Sequence, residues 1–109
     1  MADLGTELTI DVVDGGLSLR GEVDAHTAPR LEAALAAEGS PTAGPLRVRM
    51  SELTFMDSSG LRVIIAATES ARADGRDVVL VDPTQAVRRL LDVSGLSGHL
   101  TVEPAEPDA

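Results

Sequence analysis

Two stretches near the start of the chain alternate apolar and polar residues with a period of two. Over residues 8–13, Leu8, Ile10 and Val12 alternate with Thr9, Asp11 and Val13, and over residues 17–23 Leu17, Leu19, Gly21 and Val23 share one side. Asp14-Gly15-Gly16 lies between them, so the segment predicts a β-hairpin. The period then changes. Thr27 is placed to cap a helix with Pro29 in its first turn, and Leu31, Ala34 and Leu35 form a short apolar stripe running to about Glu38. Gly39 to Pro45 predicts a loop.

From Leu46 to Met50 the alternation returns, with Leu46, Val48 and Met50 on one face and Arg47 and Arg49 on the other, as in a half-buried strand. After Asp57 the apolar spacing becomes three and four (Leu61, Ile64, Ile65, Thr68), which predicts a helix ending near Asp74 with Gly75 as its terminator. Val78 to Val81 is uninterrupted apolar sequence, the signature of a strand covered on both faces. Asp82-Pro83 reads as a cap followed by proline at the first helical position; the helix carries Val87, Leu90 and Leu91 and stops at Gly95. Leu100 to Val102 is a weak last strand. The expected organisation is one α/β domain over residues 5–103, in the order β-β-α-β-α-β-α-β, with a flexible acidic tail over residues 104–109. The strand-helix-strand steps should be parallel and right-handed, giving a mixed sheet with helices packed against it.

Composition narrows the chemistry. At 109 residues and 43% hydrophobic content the chain can bury one core but not two. Phe55 is the only aromatic residue, so platforms for stacking bases or sugars are absent. The formal charge of -9 repels phosphate backbones and anionic lipid surfaces, which argues against a nucleic-acid partner, although acidity also serves solubility alone. There is no cysteine, hence no disulfide, thiolate nucleophile or cysteine zinc site. All nine basic residues are Arg, which removes mechanisms that need a lysine amine. His26 and His99 are too few and too far apart to suggest a metal site, and nothing calls for a cofactor. No run reaches the length of a membrane span, and Met1 to Thr6 lacks the regions of a signal peptide, so a cytoplasmic protein is expected.

The segment Phe55-Met56-Asp57-Ser58-Ser59-Gly60-Leu61 lies where a strand and its following loop deliver the chain into a helix. Hydroxyl residues there are ordinary caps, and Ser59 is most simply read so. A serine hydroxyl at a helix mouth is also accessible to a partner's active site. The free N–H groups and positive helix end would stabilise a phosphate once added. Such a phosphate adds about -1.5 to -2 charge close to Asp57, enough to turn an accepting surface into a repelling one. Gly60 permits close approach of the backbone to a partner or to its own sheet. Asp24 fits a turn cap before the first helix.

Met56-Asp57-Ser58-Ser59-Gly60-Leu61, the earlier Gly21-Glu22-Val23-Asp24-Ala25-His26-Thr27-Ala28 and the element order resemble a STAS domain of the anti-sigma factor antagonist family, over about residues 7–102. The resemblance implies the STAS fold and a regulatory, non-enzymatic role. In that family the first serine after the Asp accepts phosphate, which falls on Ser58. An anti-sigma factor with serine kinase activity binds the unphosphorylated form, phosphorylates it and releases it, and a phosphatase acting on Ser58 restores it. By the same carry-over Asp24 lies near the acceptor and contributes to partner contact or phosphorylation; Asp57, Ser58, Ser59, Gly60 and Arg62 are expected to join it in a partner-binding surface. Arg49 and Arg62 depart from the family pattern, in which an acidic residue and a glycine are frequent at these positions. Arg62 can pair with a phosphate on Ser58, or be simply a solvated helix arginine.

Other readings compete. Ser58, Asp24 and His26 supply the residue types of a hydrolase, but Met56 stands where a nucleophile elbow needs glycine. A phospho-aspartate receiver would use Asp57, yet lacks its lysine and an acidic pair after the first strand. Within the STAS fold a signalling scaffold or a membrane-transporter accessory subunit stays open.

Overall fold

The computed structural model describes residues 8–38 and 44–105. The expected start at Gly5, the loop residues 39–43 and the tail residues 106–109 lie outside the described residues. The element order is β1 (Leu8–Val13), β2 (Gly16–Val23), α1 (Ala28–Ala37), β3 (Leu46–Met56), α2 (Ser58–Ala73), β4 (Val78–Val81), α3 (Gln85–Val93) and β5 (Thr101–Glu103), in the predicted sequence of strands and helices.

The hairpin is tighter than its three-residue linker suggested. Gly16 is already paired to Val13 as the first residue of β2, leaving Asp14 and Gly15 as the turn. A side chain at Gly16 is impossible for a local reason: a Cβ there would lie 1.8 Å from the carbonyl oxygen of Arg47 on the neighbouring strand. Gly15, with φ +84°, has open space around it.

The five strands form one sheet in the order β1-β2-β3-β4-β5, antiparallel for the first pair and parallel for the rest. Each parallel step moves one strand over in the same direction. Right-handed crossovers then place all three helices on one face, and the core agrees. Leu31 and Leu35 of α1, Leu61 and Ile64 of α2, and Val87 and Leu91 of α3 join a single cluster with Leu17, Leu19, Val48, Met50, Val78 and Leu80 of the sheet. Each fully buried Leu or Val contributes about 1.5–3 kcal/mol by leaving water. β4 is buried along its whole length, as its unbroken apolar sequence predicted. Val79 and Val81 lie on the other face, where an ion pair between Arg47 of β3 and Glu103 of β5 (2.7 Å) spans the strand.

Three expectations need correction. β3 does not stop at Met50 but runs to Met56 and enters α2 with no intervening loop beyond Asp57. Its pairing with β2 shifts register between Ser18 and Arg20 and again between Gly21 and Glu22, each time adding a residue on β3. These bulges put Ser51-Glu52 and Thr54-Phe55 outward as pairs, which breaks the period-two pattern that marks a strand in sequence. At α3 the cap is Thr84, not Asp82. Asp82 takes the left-handed conformation (φ 52°) and turns the chain out of β4 while its N–H donates to the Glu103 carbonyl at 2.8 Å. The Thr84 hydroxyl donates to the Leu53 carbonyl at 2.8 Å, tying the start of α3 to the bulged part of β3. The last strand lies one residue later than Leu100–Val102 and ends at Glu103.

Gly16→Ala is expected to cost about 3 kcal/mol, because the obstacle is backbone and cannot swing aside. Gly15→Asn, at a position that only needs left-handed backbone, should cost less than about 1 kcal/mol. Urea unfolding of the two variants checks the pair; equal losses would contradict the register.

Candidate functional site

Val23 and Met56 are paired as the last residues of β2 and β3. Asp24 and Asp57 therefore leave the sheet side by side, and the Asp57 N–H donates to the Val23 carbonyl at 3.1 Å. Everything at this end of the sheet is organised by those two carboxylates.

Asp57 is the N-cap of α2. Its backbone is extended, and its Oδ1 accepts from the N–H of Ser59 (2.8 Å) and of Gly60 (3.4 Å). The capping hydroxyl expected of Ser59 is thus replaced by a carboxylate, which suits the positive end of a helix better. Ser58 is the first helical residue. It is exposed, and its hydroxyl makes no hydrogen bond among the described residues. Ser59 is half-buried and Gly60 buried. A Cβ on Gly60 would lie 2.6 Å from Val23 Cγ1 and 2.9 Å from Met56 Cγ. Of the two uses expected for this glycine, close approach to its own sheet is the one the packing requires.

The two N–H groups that Asp57 occupies are no longer free for a phosphate on Ser58. That changes the expected electrostatics: the added charge would sit beside an anion already holding the helix end, and so face outward rather than be absorbed by the helix. Arg62 is exposed one turn along α2 from Ser58, at the i,i+4 spacing where side chains on a helix are neighbours. It is the nearest cation along the helix for such a charge. Arg49 is also exposed but lies on the earlier half of β3, eight residues before Asp57, and does not join this group.

Asp24 organises the β2–α1 turn. Its Oδ1 accepts from the N–H of His26 (3.0 Å) and of Thr27 (3.0 Å), and its carbonyl accepts from the Ala28 N–H at 2.8 Å. Thr27 is buried and does not cap α1 through its side chain; its oxygen accepts from the Asp24 N–H (3.0 Å), and its proton has the Glu22 carbonyl (3.0 Å) and Asp24 Oδ1 (3.2 Å) within reach. Reading Thr27 alone missed this ring, although an Asp followed three residues later by Thr signals such a turn. The hydrogen bond from the Thr27 N–H, opposed by partial desolvation and joined by those from the Thr27 hydroxyl and the His26 N–H and the charge of His26, holds the Asp24 carboxyl below the usual aspartate range.

No hydrogen bond joins Ser58 to Asp24 or His26 among the described residues, and His26 and His99 are both exposed. Among those residues no group of three His, Cys, Asp or Glu is arranged to hold a metal, and no helix is long and apolar enough to cross a membrane. Neither the cavity of about 330 Å³ between α1 and α2 nor the groove beside α3 is lined by Ser58, Asp57 or Asp24. Ser58 stands exposed at the surface, with Asp57 and Asp24 half-buried beside the strand ends.

A family model described as Mlab, STAS domain, matches residues 6–103. The chain belongs to the STAS domain family. Among relatives of this STAS domain, the anti-sigma-B factor antagonist of Listeria monocytogenes is 34% identical over 86 residues, which cover 79% of this chain and 75% of that protein. A solved anti-sigma factor antagonist from Mycobacterium paratuberculosis superposes with a TM-score of 0.76 at 28% identity, covering 91% of this chain and 86% of that one. The anti-sigma factor antagonist SpoIIAA in its unphosphorylated form shares the fold with a TM-score of 0.72 at 23% identity, over 93% of this chain and 90% of that one. The Bacillus cell fate determinant SpoIIAA in its phosphorylated form gives 0.67 at 22%, over 93% of each chain. The STAS domain described here is thus a member of the anti-sigma factor antagonist family.

Because the folded Asp24 carboxyl is held below its unfolded value, about 3.9, its contribution to stability is fully present above that value. It is lost as pH falls through the lower folded value. Asp24→Asn should therefore be less stable than the parent at pH 6, with the gap closing on acidification below about pH 4. Urea midpoints measured from pH 6 to pH 2 give the comparison; a gap that widens towards acid would contradict the hydrogen-bonded ring.

Proposed function

We propose that this STAS domain is a cytoplasmic antagonist of an anti-sigma factor with serine kinase activity, switched by phosphorylation of Ser58. Unmodified, it binds the anti-sigma factor and draws it from its sigma factor, so transcription by that sigma factor begins. The kinase transfers the γ-phosphoryl group of its own ATP to the Ser58 oxygen, and the hydroxyl proton leaves. The phosphorylated domain dissociates, and a phosphatase returns it to the binding form.

The observation that carries this reading is an exposed hydroxyl at the first residue of α2, without a hydrogen bond among the described residues and adjacent to a capping carboxylate. An unpartnered hydroxyl can enter another protein's active site without loss of a native hydrogen bond. Once phosphorylated, it concentrates negative charge beside Asp57 and Asp24, and a surface complementary to the neutral state meets like-charge repulsion or an unpaired charge. Asp24, Asp57, Ser58, Ser59 and Arg62 form the contact surface in this reading, with Gly60 supporting it from beneath. The name of the Listeria monocytogenes relative and the two forms in which SpoIIAA has been solved support the partner class and the chemistry. The domain acts as substrate and binding surface; ATP and its magnesium belong to the partner.

Incubation with an anti-sigma kinase, ATP and Mg²⁺, followed by mass spectrometry, should place a single phosphate on Ser58. Ser58→Ala should bind the kinase and accept none, and Ser58→Asp should bind more weakly. Phosphate on Ser59 instead, or equal labelling of Ser58→Ala, would contradict the assignment.

A further inference from the structure

Phe55, the only aromatic residue of the chain, is 44% exposed, and Val93 at the end of α3 is 81% exposed. Isolated apolar residues at a surface need no explanation, but these two are not isolated. Phe55, Met56, Ala86, Leu90 and Val93 line one groove of about 450 Å³ between the end of β3 and α3, and Arg89 lines it with them. Phe55 follows the bulged stretch of β3, faces out of the core and forms one wall, and α3 forms the other. Thr84 fixes the other wall by its hydrogen bond to the Leu53 carbonyl. The groove is thus bounded by anchored elements on both sides.

Two observations say what fills it. The first is continuity: Phe55 precedes Ser58 by three residues, so the groove begins within about 11 Å of chain from the phosphorylation site. A protein bound over Ser58 is therefore within reach of the groove. The second is charge. The domain carries -9 overall, yet this groove is lined by a cation. Arg89 is exposed and has no ion-pair partner among the described residues; Asp92, the nearest acid on its helix, accepts a hydrogen bond from Ser97. An apolar trough with an unpaired guanidinium suits an apolar side chain flanked by a carboxylate. A second copy of the chain fits less well, because two domains of this net charge repel one another.

We propose that this groove is a second anchor point for the anti-sigma factor, seating an apolar side chain whose neighbouring carboxylate pairs with Arg89. The inference rests on the function proposed above and adds to it a contact that phosphorylation does not touch. Ser58 then sets whether the complex forms, while the groove supplies much of its affinity and selects which anti-sigma factor is held.

The test is calorimetric titration of the full, unphosphorylated chain with the anti-sigma kinase that phosphorylates it at Ser58. Phe55→Ala, Val93→Asp and Arg89→Glu should each weaken binding about tenfold or more. Val12→Asp, at a 69% exposed position in β1 away from the groove, should stay within twofold. All four sites are at the surface, and circular dichroism confirms that the variants fold. If the groove variants bind as the parent does while Ser58→Asp binds weakly, the groove proposal is wrong and the switch stands. If the parent chain is neither bound nor phosphorylated by any anti-sigma kinase, both are wrong. A concentration-dependent dimer that Val93→Asp dissociates would assign the groove to a second copy and overturn the proposal.

Discussion

The carboxylate of Asp57 governs the chemistry available at this site. By accepting the N–H groups of Ser59 and Gly60, it satisfies the opening turn of α2 and leaves the Ser58 hydroxyl without an internal duty. Had a serine been the cap, its oxygen would be committed to the backbone, and phosphorylating it would remake the helix start around the phosphate. With the carboxylate in that place, the hydroxyl can gain or lose a phosphate while the cap stays made. The cap also occupies the Ser59 and Gly60 N–H groups, so a phosphate on Ser58 finds fewer backbone donors at the helix mouth and displays more of its charge. A site with these properties is suited to altering recognition without altering fold.

The sheet explains why the site is an exposed surface and not a cleft. Its strands run in sequential order with no reversal, and its helices gather on one face. Doubly wound sheets bind small ligands in the crevice where strand order reverses; this sheet has no such point between its parallel strands. What the C-terminal ends of β2 and β3 offer is a ledge carrying Asp24, Asp57 and Ser58, the shape that the proposed protein partner requires. Gly60 lets α2 pack directly against Val23 and Met56 beneath the ledge, and the Asp24–Thr27 ring ties its other side.

Much of this was legible in the sequence where periodicity and local chemistry agree. The Asp14-Gly15 turn, the apolar run of β4 and the stripe of α2 each follow from one rule, and Gly75 and Gly95 end their helices with the positive φ expected of terminators. The second half of β3 was not legible, because two bulges present consecutive residues outward and erase the period that identifies a strand. The start of α3 misled for another reason: Asp82 looks like a cap, but its left-handed backbone turns the chain early, and the cap position falls on Thr84, whose hydroxyl bonds the Leu53 carbonyl instead. At the site, residue types pointed to Ser58, and the order of motifs pointed to the family. The division of labour between Asp57 and the serines required the paired ends of β2 and β3, whereas the coupling of Asp24 to Thr27 is a local turn that the spacing of the two residues signals.

The central claim is that one phosphate on Ser58 changes recognition by charge alone. Its most direct measurement compares the Kd of homogeneous unphosphorylated and Ser58-phosphorylated chain for the same anti-sigma kinase, with circular dichroism spectra of both. Like-charge juxtaposition of a few kcal/mol predicts that affinity falls about a hundredfold or more while the spectra coincide. Affinities equal within twofold, or a phosphorylated chain that has lost its helical signal, would contradict the account.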